Sequence, residues 1–130
     1  MKKETINKAD IKELTDFLPL IYNDEIKLYK TDPNGDMLTG GYYIYHPLVI
    51  TFFELVSQQH WQDYQHVENF SDKMINPGKI ENASVNDIKT ILTWCVRKQR
   101  FHEGHWISVI EDGVIKRVLK RLNVIVDTYN

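Results

Sequence analysis

Ser84-Val85-Asn86-Asp87-Ile88-Lys89-Thr90-Ile91-Leu92-Thr93-Trp94-Cys95-Val96-Arg97 is the stretch on which the fold class turns. Val85, Ile88, Ile91, Leu92, Cys95 and Val96 recur at three- and four-residue intervals, the period that lines one face of an α-helix. Ser84 followed three residues later by Asp87 forms a capping box with Asp in the usual Glu position, so the hydroxyl can accept from an otherwise orphaned N–H at the helix start. This pattern predicts an amphipathic helix over 85–100, which needs apolar partners from the rest of the chain.

Those partners come at similar spacing on both sides. Upstream, Asn7 is a suitable N-cap with Asp10 near the positive helix end, and Ile11, Leu14, Phe17, Leu18 and Ile21 follow. A helix over 8–18 is predicted, ended or bent by Pro19, whose ring collides with the preceding turn. From Pro47, a residue suited to a first helical turn, Leu48, Val49, Phe52, Phe53, Leu55 and Val56 make a broad stripe running to about Gln59. Trp61, Tyr64, Val67, Phe70 and Met74 continue at three or four residues and predict a further helix stopping before Asn76-Pro77-Gly78. Between the first two helices, Ile26–Lys30 alternates apolar and charged, Thr31–Asp36 supplies turn residues, and Tyr42–Tyr45 is aromatic and β-branched. Residues 26–45 therefore read as a small β-hairpin whose second strand Gly40-Gly41 weakens.

Residues 106–115 admit two readings. Asp112-Gly113 between β-branched runs signals a hairpin. Alternatively, Gly113 is the left-handed stop of a short helix, and a second helix begins at Val114 with Ile115, Val118, Leu119 and Leu122 on one face. The second reading is preferred for 114–123 because Lys116, Arg117, Lys120 and Arg121 then fill the opposite face. The expected architecture is a mainly α, single-domain helical bundle of about five or six helices spanning 1–130, with the small hairpin beside it.

Composition agrees with one packed domain: 42% hydrophobic, 26% charged and 12% aromatic residues are globular values, and 130 residues bury roughly two-thirds of the unfolded surface. The lone Cys95 excludes an internal disulfide framework, and no segment approaches the ~20 apolar residues of a membrane helix. With no apolar run after Met1–Lys8 to suggest export, a cytoplasmic location is expected. Charge is uneven: residues 1–94 hold 9 Lys/Arg against 14 Asp/Glu, residues 95–121 hold 7 against 3. Such asymmetry suits contacts within one domain, self-association or an anionic partner.

Arg97-Lys98-Gln99-Arg100-Phe101-His102-Glu103-Gly104, then Gly113 and Leu119-Lys120-Arg121-Leu122, resembles the pattern Arg-x-x-Arg-Phe-x-x-Gly, a spacer, Gly, and Leu-x-Arg-Leu of a family of small bacterial proteins catalogued only as a domain of unknown function. The similarity reaches back through Ile88–Thr93 and into Tyr43–Tyr45 and Phe52–Leu55. Members often carry cysteine where His102 stands here, and they favour a helix between the two glycines. The resemblance implies no activity and supplies no catalytic residues.

Six side chains are candidates for an anion site: Arg97, Arg100, His102, His105, Arg117 and Arg121. Arg97/Arg100 and Arg117/Arg121 are spaced to lie along helix faces, and guanidinium forks suit phosphate or carboxylate oxygens. The competing account spends these arginines on carbonyls, carboxylates and solvent. A basic final helix could also lie against nucleic acid, although a sequence pI near 6.2 and the lack of a helix-turn-helix pattern weigh against it. His102, Glu103 and His105 could bind zinc or move protons, but there is no HExxH signature and no evident third ligand. Asp32–Asp36 does not put its glycine where a calcium loop needs it, and Tyr43 stands where the bidentate Glu belongs. Cys95 on an apolar stripe and Ser108 without a nucleophile elbow offer no covalent chemistry. No cofactor is expected. The leading expectation is a non-enzymatic binding or protein-interaction module; the alternatives are an anion- or nucleic-acid-binding domain and an enzyme of unidentified class.

Overall fold

In the computed structural model, which describes residues 5–32, 42–99 and 104–129, helix α1 (Lys8–Thr15) begins where the sequence places it. The Asn7 side chain accepts from the Asp10 N–H and the Asp10 carboxylate accepts from the Asn7 N–H, each at 2.9 Å. Reciprocal caps of this kind stabilise a helix by ~1 kcal/mol. Pro19 does interrupt the first helical run, by falling in the opening turn of a separate short helix, α2 (Leu18–Ile21). Strands β1 (Tyr29–Asp32) and β2 (Tyr42–Tyr45) pair antiparallel, Tyr29 opposite Tyr45, and make the small hairpin that the alternation predicted. The turn residues Pro33–Asp36 fall outside the described residues.

Helix α3 (Pro47–Val56) opens on its proline, and the His46 ring accepts from the Leu48 N–H at 3.0 Å as a cap. The helix predicted from Trp61 to Met74 is a different structure: a 3-10 turn (Gln59–Trp61), one turn of helix α4 (His66–Asn69) and another 3-10 turn (Asp72–Ile75). Asp63 explains the break. Its carboxylate accepts from the Gln65 N–H at 2.9 Å, from the Thr90 hydroxyl at 2.7 Å and from the Asn69 amide at 3.0 Å. Its own N–H donates to Thr93 Oγ1 at 2.8 Å. A side chain that captures backbone N–H groups two residues on competes with helix, and here it also staples the segment to the next long helix. The aromatic spacing misled because it was never one buried face: Trp61 is fully buried, whereas Tyr64 is 66% and Val67 81% exposed.

After short helix α5 (Pro77–Ile80) comes α6 (Val85–Lys98), with Ser84 and Asp87 forming the capping box at 3.1 Å in both directions. Ile88, Ile91, Leu92 and Cys95 are fully buried along it. Residues 106–115 take the helical reading: α7 (His105–Glu111) stops at Gly113, and α8 (Val114–Val126) follows, three residues longer than its predicted end. Ile115, Val118, Leu119 and Leu122 of α8 are fully buried and pack among α1, α2, α5, α6 and α7. The result is a mainly α fold around one core, with the hairpin on its flank.

Among the described residues two glycines have left-handed backbone, Gly104 at φ 87° and Gly113 at φ 88°. At Gly113 an added Cβ would make ordinary contact with Arg117, 3.4 Å away, but at Gly104 it would press on the Tyr43 ring at 3.1 Å. The left-handed conformation alone costs a non-glycine residue about 1–2 kcal/mol. Gly113→Ala should therefore lose about that much in denaturant unfolding, and Gly104→Ala distinctly more; equal losses would show that Tyr43 yields without cost.

Burial alone would raise the Asp63 carboxyl, but the hydrogen bonds from Thr90, Asn69 and the Gln65 N–H, with His66 nearby, hold it below the ordinary 3.8. A depressed folded-state pKa contributes stability that is present above the unfolded value and lost as pH falls through the folded one. Wild type should accordingly lose more stability as pH falls below about 4 than Asp63→Asn, which starts less stable at neutral pH. Parallel acid-unfolding curves for the two proteins would contradict this role.

Candidate basic groove on the last helix

The apolar face of α8 is consumed by the core, so its four basic residues are set to one side. Lys116 and Lys120, and Arg117 and Arg121, are each four apart and lie along neighbouring rows of the helix. With Glu81 and Val124 they line a groove of about 390 Å³ between α8 and the turn that follows α5. Gly113 lies at the groove too, adding no side chain.

Two of the four cations are held by backbone. Arg121 Nε donates to the Ala83 carbonyl at 2.8 Å, and an Arg117 nitrogen donates to the Asp112 carbonyl at 3.3 Å, at the C-terminal end of α7. Cations at such ends complement carbonyls left without helical donors. Lys116 lies 5.6 Å from the Tyr22 ring centre and also borders a second hollow that contains Asp24 and Glu111, which offset part of its charge. Lys120 is exposed. Among the described residues, no carboxylate oxygen lies within 4.0 Å of any of these four cations.

Of the six residues predicted for an anion site, the structure brings Arg117 and Arg121 together. Arg97 sits half-buried near the end of α6 and does not line the groove. His105 is buried at the start of α7 with its ring edge-on to Trp94, centres 4.7 Å apart. Arg100 and His102 lie outside the described residues. The lysines, Val124 and Glu81 were missed as groove residues. The period of four in α8 pointed to the lysines, but nothing local announced that residues 81–83 would form the opposite wall.

Gly104 and the Leu119–Leu122 stretch of the family-like motifs serve packing. Leu119 and Leu122 are fully buried, and the arginine between them ties α8 to Ala83. Gly104 admits Tyr43. Gln99, at the end of α6, accepts from the Trp106 N–H at 3.0 Å and donates to the Tyr45 hydroxyl, so it clasps α6, α7 and the hairpin at one point. Trp106 stacks on Phe53 at 4.5 Å, and Trp61 is wholly within the core. The aromatic residues thus supply packing volume.

Cys95 is fully buried, and burial pushes its thiol up, away from the thiolate that a nucleophile requires. Burial likewise raises the Tyr22 hydroxyl, which donates to the Ile110 carbonyl at 2.9 Å. Among the described residues no three His, Cys, Asp or Glu side chains are grouped to hold a metal ion, and no helix is long and apolar enough to cross a membrane.

Neither the curated proteins nor the solved structures contain a match to the chain. Residues 6–128 match the model of a family described as a family of unknown function, DUF6508, which takes in the long helices, the hairpin and the basic groove. The chain belongs to this family of unknown function.

Proposed function

We propose that this protein is a non-enzymatic interaction module that docks an anionic partner in the groove beside α8. The observation that carries this reading is the convergence of Lys116, Arg117, Lys120 and Arg121 on one groove in which, among the described residues, Glu81 is the single carboxylate of the lining. Arg117 and Arg121 are preorganised by their backbone carbonyls, so little side-chain entropy is lost when they meet a ligand. The lysines supply mobile charge at the rim. A buried Cys95, whose thiol is out of reach of solvent, favours binding over covalent catalysis. A bacterial cytoplasm, where a lone thiol stays reduced, suits this reading.

Exposed charge of this kind is screened over ~8 Å at physiological ionic strength, which makes its binding strongly salt-dependent. The purified protein should bind a labelled all-glutamate peptide at low salt and lose affinity as salt rises. Lys116→Glu/Lys120→Glu should weaken that binding by ~10-fold or more, since each reversal exchanges attraction for repulsion. Both side chains are exposed, so circular dichroism and thermal unfolding should leave the fold unchanged. Absence of binding to the peptide, to single-stranded DNA and to inorganic phosphate at low ionic strength would reject the anion-docking reading.

A further inference from the structure

We infer that the occupant of the α8 groove is an acidic segment of a protein partner that carries an apolar residue next to its carboxylates. This rests on the anion-docking reading above and narrows it from anions in general to one chemical class. Three features of the groove separate a peptide from a nucleic acid or a free phosphate.

The first is Val124. It lines the groove at the far end of the basic row and is 61% exposed. A phosphate ion or a sugar-phosphate backbone gains nothing from a valine, whereas a leucine or similar side chain would remove apolar surface from water against it. The second is Glu81. A carboxylate on the wall of the groove repels a uniform polyanion, but it can accept the backbone N–H groups that every peptide offers. The third is length. Lys116 to Val124 spans roughly 12 Å along the helix, close to the ~14 Å that five residues of extended peptide cover with three side chains on one face every ~6.8 Å. Two carboxylates and one apolar side chain fill that span. A nucleic acid bound without base recognition usually draws on a longer run of phosphate contacts, and the acidic remainder of the chain, 14 Asp/Glu against 9 Lys/Arg in residues 1–94, would oppose its path beyond the groove.

The chemistry of recognition follows from these positions. Arg121 and Arg117, held at the Ala83 and Asp112 carbonyls, present their remaining guanidinium donors to carboxylate oxygens. Lys120 adds charge at the rim, and Val124 sets the register by admitting an apolar side chain at one end only.

Fluorescence anisotropy at low salt tests the assignment with four probes: a short labelled peptide of glutamate and leucine, an all-glutamate peptide of equal length, a single-stranded DNA oligomer, and inorganic phosphate as competitor. Wild type should bind the glutamate–leucine peptide about 10-fold more tightly than the all-glutamate peptide, and more tightly than DNA. Val124→Ser should bring the two peptides to equal affinity, while Lys120→Glu should weaken both. Both positions are exposed, and an unchanged circular dichroism spectrum establishes that each variant is folded. Equal binding of the two peptides by wild type, tighter binding of DNA, or a leucine preference that survives Val124→Ser would overturn the peptide assignment and leave anion docking standing. If none of the probes binds, both fall together.

Discussion

Burial of one face of α8 is the constraint on which the rest of this molecule depends. Ile115, Val118, Leu119 and Leu122 are all removed from water, each contributing on the order of 1.5–3 kcal/mol, and they reach five other helices in doing so. Because α8 is near the end of the chain and α1 near its beginning, this packing closes the fold around α3 and α6. It also decides the surface: once the apolar stripe faces inward, the basic residues interleaved with it have a fixed direction, and the groove beside the 81–83 turn is a by-product of the core. The two arginines that reach backbone carbonyls serve both purposes, tethering α8 and orienting charge.

A second point of closure lies where α6, α7 and the hairpin meet. Gln99 holds the Trp106 N–H and the Tyr45 hydroxyl at once, Trp106 stacks on Phe53, and Gly104 lets the Tyr43 ring approach its backbone. Apart from the Gln99–Trp106 bond, each contact joins residues some fifty or more apart in the chain. Together they explain why a motif ending in glycine precedes α7: a side chain at residue 104 would strain the backbone and push the hairpin away. The Asp63 staple does equivalent work earlier along α6, where two threonines of that helix receive a segment that has little buried surface of its own.

The features that were legible in the sequence are those whose physics is local. Capping boxes at Asn7/Asp10 and Ser84/Asp87 involve residues three apart, and helical periodicity in α6 and α8 reports a face that must be buried somewhere. Gly113 was legible because a left-handed residue between two apolar periods has few other uses. The segment from Trp61 to Met74 was misread for the complementary reason. Its aromatic spacing imitates an amphipathic face, but Asp63 finds partners on Thr90 and Thr93, some thirty residues away, and no inspection of neighbours reveals them.

The same division runs through the candidate site. Sequence alone determined that this is a mainly α chain with a small hairpin, that Cys95 belongs to an apolar stripe, and that the last helix carries its cations opposite its hydrophobic residues, because each of these follows from the period of a single element. Tertiary structure decided which cations share a groove. Arg117 and Arg121 meet there with two lysines, Glu81 and Val124, while Arg97 and His105 are held elsewhere by α6 and α7. The physical reason is that a helix dictates the spacing of its own side chains, but what stands opposite them depends on how whole elements pack, and that is settled by the burial of apolar faces summed over the entire chain.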